Sequence, residues 1–547
     1  MADLQQLVGK NLTIEDVESW SSCAKGDFEG YDKQSDEVKI DFGDTNLPYL
    51  WSVEGFARLL RGLMGKQKGI PPLKVQPSGQ KIQVDASVNA VRPYIAAFIA
   101  KGRRMDDYLL KQIIQLQEKL CETYGRKRRK IAIGIYSHKK ITFPISYKAV
   151  DPESVSFVPL EFSEAMTLSK ILKEHPKGKQ YAALLKDAKK YPLLLDDKGE
   201  VLSFPPIINS STTGKVEENE TDLFFEATGD DMDALLLATN IFAYAFSDRG
   251  FQIQSVEIQY PSKKMVTPHL FKEMVKLKKE AVKDLLGLEI PEKELKQLLE
   301  KMGYQYTPSG IIIPPYRKDI LHPNDVIEDI GIAYGYDKIG ESPLRDYTVG
   351  EKKPIVHFID SLREAMVGLG FNEVLSAILS SKQTLYEKAG ISDFGTVEIK
   401  LPMSETYSAV RSWILPILLE CLSKNKHVEY PQKIFEQGEV VVRNGDQLVQ
   451  YERMAVAITH EKADFTEIRQ VLDYLLTLLQ VECTLEETEH SSFLPGRVTR
   501  VSVEGKKIAF MGEIAPAVLS NFGIEMPVAA LELNLTELFE ILNKKKK

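Results

Sequence analysis

Little in the sequence suggests a secreted or membrane-bound protein. Its 547 residues include only four cysteines, which are neither spaced as C-x-x-C nor dense enough for a disulfide scaffold. The longest apolar run, residues 234–246, is interrupted by Thr239 and Asn240 and is shorter than the roughly 20 residues that a membrane-spanning helix needs. The N-terminal residues lack the basic and apolar segments of a signal peptide. We therefore expect a reduced, cytoplasmic protein that makes no contact with a membrane.

Well-known hydrolase and metal motifs are also missing. The sequence contains no H-E-x-x-H pair, no paired-cysteine metal motif and no serine or cysteine within a nucleophile elbow. Zinc-dependent hydrolysis and conventional nucleophilic catalysis are therefore not expected from this chain.

An excess of positive charge is absent as well. Acidic residues outnumber basic ones by 78 to 70, which gives a net charge of −8, so the chain as a whole is not an electrostatic nucleic-acid binder. Any contact with nucleic acid must then be local. The candidate is the run of five cations at 126–130, directly after a predicted helix. Arg103 and Arg104 lie just before the same helix. Such a run can bind phosphates in a salt-dependent way or be a solvated helix end, and both interpretations stay open.

The most informative stretch that is present runs from Pro315 to Tyr336. Pro323 suits the first turn of a helix, where its missing N–H costs nothing. The i, i+3, i+4 spacing places three acids on one face of that helix, and a fourth arrives from the preceding loop. These acids are Asp325, Glu328 and Asp329 on the helix and Asp319 in the loop. Carboxylates without His or Cys favour Mg²⁺, although acids in a first helical turn can also merely complement the helix dipole.

This stretch resembles the small B-type insert domain of phenylalanyl-tRNA synthetase beta subunits of the archaeal and eukaryotic type. The matching positions are Arg317, Asp319, Asp325, Glu328, Asp329, Gly335 and Tyr336. The resemblance implies that the four acids bind Mg²⁺ that is shared with an alpha subunit.

Two helices are predicted upstream of the acidic stretch, over 270–286 and 292–302, with Gly287 and Pro291 between them. The predicted order of two helices, a strand and a third helix in a segment of this size resembles a winged-helix-like arrangement. That fold often binds nucleic acid, but a fold analogy alone does not indicate such binding here.

The resemblance and the composition together imply an α+β multidomain protein with four parts. A small α+β domain occupies residues 1–75, and an α/β domain that is tRNA-binding and editing-like occupies 76–262. The small winged-helix-like domain with the acidic cluster follows at 263–343. Residues 344–547 resemble the antiparallel-sheet core of class II aminoacyl-tRNA synthetases.

Residues 191–229 alternate strand-forming runs with turn signals, a pattern that presents small polar groups among apolar walls. The region resembles the family's editing domain, which hydrolyses tyrosine wrongly attached to the phenylalanine tRNA. A second sieve is needed there because an apolar pocket rejects an added hydroxyl only weakly. By motif position, the resemblance assigns the editing pocket to Leu194, Ser203, Glu226 and Thr228. Glu226 stands where the family more usually has Asp, and the alternative for these positions is an ordinary sheet with Pro-Pro kinks.

The C-terminal part lacks the residues that an adenylating core needs. That chemistry requires one arginine on a strand for the α-phosphate of ATP and a second, after a glycine-rich strand, for the γ-phosphate. The predicted strand 434–442 has no arginine, and residues 527–542 contain neither glycine nor arginine. We therefore expect a catalytically silent core, without adenylation residues, that docks an active alpha subunit. Ile355, Phe358 and Leu362 are candidates for that interface, and the alternative that they face the domain's own core has equal weight.

The resemblance therefore implies a beta subunit of phenylalanine–tRNA ligase. In an (αβ)₂ heterotetramer it would form phenylalanyl-tRNA from ATP, phenylalanine and tRNA(Phe), with ATP and phenylalanine bound by the alpha subunit. It would also hydrolyse mischarged tyrosyl-tRNA(Phe). A freestanding editing deacylase and a non-enzymatic tRNA-binding scaffold are the alternatives.

Overall fold

The structure, a computed structural model, describes residues 1–44, 46–341, 343–344 and 346–545. The chain divides into two compact units, Met1–Ser342 and Pro343–Lys547. Helices and sheets occur in both units, so the predicted mixture of α and β structure is confirmed. Among the described residues, no helix combines the length and the apolarity that crossing a membrane requires.

The first unit begins with helices and a hairpin. These elements are the helices Ala2–Val8 and Ile14–Ser21, the strands Gly26–Asp32 and Glu37–Phe42, and the helix Val53–Leu63. The second helix begins after Thr13 because the Thr13 side chain and Asp16 form a capping box. Ser52 starts the third helix by accepting a hydrogen bond from the Gly55 N–H.

A ten-stranded sheet forms the centre of the first unit. In spatial order its main path is Ile208–Asn209, Val201–Phe204, Tyr191–Leu195, Ile145–Val150, Val75–Val84, Gln252–Gln259, Tyr94–Lys101, Asp222–Gly229 and Ala132–Ser137, and Lys264–Thr267 pairs with Gln252–Gln259. Ala132–Ser137 is therefore an edge strand. The helix Met232–Asp248 packs on the sheet and is buried continuously from Ala234 to Phe246, which explains the long apolar run.

Shorter elements surround this sheet. They are the helices Asp107–Lys119, Leu168–Glu174 and Pro176–Tyr181, and the paired strands Ser156–Phe157 and Met166–Thr167.

A smaller sheet with three helices completes the first unit. Its strands, in spatial order, are Met274–Val275, Gly310–Ile312 and Gln305–Thr307, and its helices are Lys279–Leu286, Glu292–Lys301 and Pro323–Tyr334. The prediction of a helix over 270–286 is wrong at its start. Residues 274–275 pair as a strand with 311–312, and the helix begins only at Lys279. Here the pairing with a distant strand overrides the local helical pattern.

The second unit is built on a seven-stranded sheet. In spatial order its strands are Asn372–Glu373, Gln432–Asn444, Gln447–Thr459, Val528–Asn534, Lys506–Ile514, Phe493–Val503 and Thr484–Glu487. Neighbouring strands are antiparallel except the first pair, which is parallel. A three-stranded sheet consists of Leu379–Ser380, Ala409–Val410 and Val397–Glu398, and the helices are Pro354–Gly368, Leu415–Lys424, Phe465–Leu478, Pro516–Phe522 and Leu535–Lys545.

The apolar side chains of the helix Pro354–Gly368 face the core of this unit. Leu362 is completely buried, and Ile355 and Phe358 pack partly buried against the same apolar cluster. The Phe358 ring lies 5.4 Å from the ring of Phe539. The own-core alternative is therefore correct for Leu362, whereas Ile355 and Phe358 pack against that core and keep part of their surface exposed.

Candidate functional site

A cavity of about 310 Å³ lies at the edge strand Ala132–Ser137 of the large sheet. Its walls are largely apolar and include Leu110, Ile113, Ile133, Ile135, Ile207 and Val216. The sheet also contributes polar side chains to the lining, from Ser203, Asn209, Glu226 and Thr228. Apolar walls with a few convergent polar groups are typical of a small-molecule site.

Three of the four pocket residues predicted from the sequence line this cavity. Glu226 and Thr228 are two residues apart on the strand Asp222–Gly229, so their side chains emerge on the same face of the sheet. Ser203 reaches the cavity from the strand Val201–Phe204. Leu194 is completely buried in an apolar core cluster and contributes no surface to the cavity.

Glu226 is the most unusual of these residues because its carboxyl group is buried. The Tyr136 hydroxyl donates to Oε1 of Glu226 at 2.9 Å, whereas Oε2 has no hydrogen-bond partner within the described part of the chain. Burial raises the pKa of Glu226 to about 7, although the Tyr136 hydrogen bond and the Arg92 guanidinium oppose that rise. The carboxyl group therefore changes its charge near neutral pH.

Ser203 lies beside the same pair of groups. It is close enough to lower the pKa of the Tyr136 hydroxyl, which burial holds well above its ordinary value. Among the residues that the structure describes, however, no group makes a well-formed hydrogen bond with the Ser203 Oγ. This Oγ is itself buried, so the Ser203 hydroxyl lies against the pair formed by Tyr136 and Glu226.

Thr228 is held by the buried Arg92. The Arg92 Nε donates to the Thr228 Oγ1 at 2.9 Å, and Nη2 donates to the Thr228 carbonyl oxygen. Nη1 of Arg92 donates to the carbonyl oxygen of Arg129 at 2.9 Å. Because the Thr228 oxygen accepts from Arg92, its own proton remains available for donation.

The acidic stretch folds around Arg317, which is only 4% exposed. Its Nη2 lies 2.5 Å from Oδ2 of Asp319, and its Nη1 lies 2.6 Å from Oδ2 of Asp329. The Tyr304 hydroxyl also donates to Oδ2 of Asp329. Two of the four predicted metal ligands are thus paired with one arginine of this chain.

The other two acids make separate contacts. The helix begins at Pro323, as predicted, and Oδ2 of Asp325 accepts the backbone N–H groups of Leu321 and His322 at 2.7 Å each. Glu328 pairs with Lys25, with 2.9 Å between Oε2 and Nζ. In the described ranges, no group of three or more His, Cys, Asp or Glu side chains is arranged to hold a metal ion. The four carboxylates therefore do not fit a Mg²⁺ site by themselves.

Comparisons with known proteins agree with the sequence motifs. Residues 275–336 match the tRNA synthetase B5 domain, and residues 341–535 match the phenylalanyl tRNA synthetase beta chain CLM domain. The chain is 40% identical over 561 residues to the phenylalanine–tRNA ligase beta subunit of Thermococcus onnurineus, and 98% of each chain is covered. It is also 40% identical over 548 residues to the corresponding protein of Pyrococcus furiosus, again with 98% of each chain covered. The chain belongs to the phenylalanine–tRNA ligase beta subunit family. This places it among the subunits of aminoacyl-tRNA synthetases and confirms the resemblance stated above.

A solved structure from the same family resembles the N-terminal part. It is the crystal structure of an N-terminal fragment of the phenylalanyl-tRNA synthetase beta subunit from Pyrococcus horikoshii, which is 40% identical. The TM-score is 0.59, and the match covers 61% of this chain and 98% of the fragment.

In this member of the beta subunit family, the basic run forms a left-handed turn. Arg126, Lys127 and Arg128 have φ angles of 50°, 52° and 65°, a conformation that side chains with a Cβ rarely adopt. Arg128 turns inward and donates from Nη1 to the carbonyl oxygens of Pro206 and Ile207, at 3.1 and 2.9 Å, so it braces the cavity wall. Arg126 and Lys127 remain exposed.

The second unit contains a buried arginine, packed against a strand of its large sheet, that the sequence patterns did not indicate. Arg411 is 2% exposed; its Nη1 pairs with Oε1 of Glu436, and its Nε donates to the Glu439 carbonyl oxygen at 2.8 Å. The strand predicted over 434–442 extends to Asn444 and so includes Arg443, which is exposed. Arg411 is thus engaged by a protein carboxylate and is not open to a phosphate.

The sequence patterns also missed the groups that support the cavity, namely Gly134, Tyr136 and Arg92. One signal was present in the sequence, because a glycine inside an apolar strand often marks a close approach of another group. The pairing of residue 134 with Glu226 could not be read from local spacing, since the two residues are far apart in the chain.

Proposed function

We propose that the chain acts as the beta subunit of a phenylalanine–tRNA ligase and that its cavity hydrolyses tyrosine wrongly attached to tRNA(Phe). The observation that carries the editing role is the Glu226 carboxyl group, which is buried in a largely apolar cavity with only Oε1 engaged by the described residues. The apolar walls accept an aromatic ring. The second carboxyl oxygen gives the hydroxyl group of tyrosine a partner that phenylalanine cannot use.

The proposed reaction is hydrolysis of the aminoacyl ester. Water attacks the ester carbonyl carbon, the bond to the ribose oxygen breaks, and free tyrosine and a tRNA with a restored ribose hydroxyl are released. We assign the orientation of the water and of the ester carbonyl to the Ser203 and Thr228 hydroxyls, because both residues line the cavity. This scheme uses positioning and hydrogen bonding rather than a protein nucleophile.

The editing role is tested by deacylation of tyrosyl-tRNA(Phe) with the full chain in complex with its alpha subunit. Glu226→Ala and Thr228→Ala are expected to slow tyrosine release by at least about tenfold while phenylalanylation stays unchanged. Glu200→Ala, which removes an exposed acid next to the strand Val201–Phe204, is the matched control. Native rates in both cavity variants would instead favour the non-enzymatic scaffold.

We further propose that an alpha subunit binds ATP and phenylalanine and that the two subunits form an (αβ)₂ heterotetramer. The internal pairing of Arg411 with Glu436 supports a second unit without adenylation activity. Leu375, Leu401 and Met403 are almost fully exposed apolar side chains of this unit, so they are better candidates for the docking surface than the core-packed residues of the helix Pro354–Gly368.

The partnership is tested by expressing this chain with and without an alpha subunit. Phenylalanylation only by the mixture supports the proposal, and Leu401→Asp with Met403→Asp is expected to weaken association. A chain that stays monomeric in the mixture and still deacylates tyrosyl-tRNA(Phe) would be a freestanding editing enzyme.

We propose that Mg²⁺ binds at the acidic cluster only as an ion shared with the alpha subunit. Glu328 is exposed, and Asp325 uses one oxygen in the helix cap, whereas Asp319 and Asp329 are paired with Arg317. A cation at this place would therefore need oxygen ligands from another chain. The four-part division at residues 75, 262 and 343 and a cytoplasmic location belong to the same proposal.

A further inference from the structure

Tyr136 lies next to the candidate site on the same face of the sheet as Glu226, outside the cavity lining. The side chain is completely buried, and its hydroxyl donates to Oε1 of Glu226 at 2.9 Å. The hydroxyl also lies 3.5 Å from Oδ1 of Asn209, but its single proton cannot serve both acceptors at once. Because the Tyr136 side chain lies outside the cavity lining, its hydrogen bond holds Glu226 and does not touch a ligand.

Gly134 makes this hydrogen bond sterically possible. It lies directly opposite Glu226 in the pairing of the strands Ala132–Ser137 and Asp222–Gly229. A Cβ atom at residue 134 would be 2.2 Å from the Tyr136 hydroxyl oxygen and 2.4 Å from Oε1 of Glu226. A side chain at this position would therefore force the two groups apart, which explains a glycine in the middle of a strand.

We infer that Tyr136 is a positioning residue that holds Oε1 of Glu226 and thereby leaves Oε2, which has no partner among the described residues, to select a phenolic hydroxyl over an unsubstituted phenyl ring. This inference rests on the proposed editing function and assigns its specificity to a contact outside the cavity lining. A phenol gives Oε2 a hydrogen-bond partner, whereas a phenyl ring would bury that oxygen unpaired. Since Tyr136 already fixes the carboxyl group, binding does not have to order it.

The groups that face Glu226 also give the selection a pH dependence. They are the Tyr136 hydroxyl and the Arg92 guanidinium, both of which oppose the rise of the Glu226 pKa that burial causes. The ionised carboxylate accepts the phenol proton in a charge-assisted hydrogen bond, which is stronger than the bond a neutral acid makes. The preference for a phenol should therefore increase as pH rises through about 7. Without the Tyr136 hydroxyl, the same transition should move to higher pH.

The test measures binding, so it does not depend on the hydrolytic step. The ligands are 3′-amino-3′-deoxyadenosine acylated through a stable amide with tyrosine or with phenylalanine. Calorimetric titration of the full chain at several pH values between 6 and 9 gives the ratio of the two affinities. The variants are Tyr136→Phe, which removes the hydroxyl, and Gly134→Ala, which keeps the hydroxyl but separates it from Glu226. The control is Tyr260→Phe, which removes a tyrosine hydroxyl that bonds the Ile95 backbone of the same sheet.

The expected result is an about tenfold loss of the preference for the tyrosyl ligand in both variants, with the phenylalanyl affinity little changed. The pH at which the preference for the tyrosyl ligand increases should be higher in Tyr136→Phe than in the native chain. It should be unchanged in Tyr260→Phe. If the native chain prefers the tyrosyl ligand and Tyr136→Phe keeps both the preference and the pH profile, the positioning role is wrong and the editing function stands. If the native chain shows no preference, the proposed editing function itself is rejected.

Discussion

Arg317 and Asp329 form a buried ion pair in the smaller sheet-and-helix part of the first unit, with 2.6 Å between Nη1 and Oδ2. The same guanidinium pairs with Asp319, and Tyr304 donates a hydrogen bond to Asp329. In the sequence, four neighbouring carboxylates suggest a bound cation, but Arg317, two residues before Asp319, already pairs with two of them. Contacts within the chain therefore hold this acidic cluster together, and its first role is structural.

The first prediction concerns the loss of Arg317. Arg317→Met would leave Asp319 and Asp329 buried without their partner, so the free energy of local unfolding should fall by about 3–5 kcal/mol. Amide hydrogen exchange in the helix Pro323–Tyr334 measures this local stability. The matched control is Lys318→Met, whose partly exposed pair with Glu273 should contribute no more than about 1 kcal/mol.

Removal of divalent cations provides the contrasting condition. Because Arg317 supplies the positive charge, a chelator should leave hydrogen exchange in the same helix unchanged in the chain on its own. Exchange that accelerates with the chelator as much as with Arg317→Met would show that a cation holds the cluster.

Local rules predicted the start of this helix but not the partners of its acids. Pro323 predicted the first turn of the helix and the acid spacing predicted a shared face, although Asp329 on that face is buried; both signals lie within a few residues. The pairing of Glu328 with Lys25 joins residues 303 positions apart, which no local pattern encodes. The same limit explains the wrong helix start before Lys279, where the strand at 274–275 has its partner at 311–312.

The cavity shows a similar division between local pattern and long-range pairing. Glu226 and Thr228 were assigned to the pocket by motif position, and in the structure they lie two residues apart on one face of the strand Asp222–Gly229. Leu194 was assigned to the pocket by motif position, yet it lies in the core, in a strand whose pairing with Val201–Phe204 contains a register shift. Such a shift changes which side chains share a face, and the sequence alone does not reveal it.

The second prediction is that Glu226 lowers the stability of the protein as pH rises. Its pKa is about 7 in the folded chain and 4.5 ordinarily, so between these values the folded state binds a proton that the unfolded state has lost. Stability therefore falls as pH rises through this window, by about 3 kcal/mol in total. Glu226→Gln removes this dependence.

Thermal unfolding of the two proteins at each pH measures the effect, because other titrating groups cancel in the comparison. The variant and the native chain should have similar Tm values near pH 4.5, and the variant should be increasingly more stable toward pH 8. A constant difference in Tm across this range would contradict a buried, neutralised carboxyl group.

The third prediction concerns the left-handed basic turn. If Arg126 and Lys127 contact tRNA phosphates, replacing both with asparagine should lower the salt dependence of tRNA binding by about 1 unit of slope for each lost contact. Asparagine suits this test because it tolerates left-handed backbone. Lys276→Asn with Lys278→Asn, which changes the net charge equally at two exposed positions, is the control. Equal slopes in both double variants would identify the turn as a solvated helix end.

The last prediction tests whether Leu194 is a core residue or a residue of the pocket. Because Leu194 is completely buried in an apolar cluster, Leu194→Ala should destabilise the first unit by about 2–5 kcal/mol through the cavity it leaves. Leu194→Met conserves volume and should cost less than about 1.5 kcal/mol. The methionine variant should therefore deacylate tyrosyl-tRNA(Phe) at the native rate, whereas Glu226→Ala should not. A methionine variant that keeps its Tm but loses deacylation would place Leu194 in contact with the substrate, because volume-conserving exchange in a core affects packing and not ligand recognition.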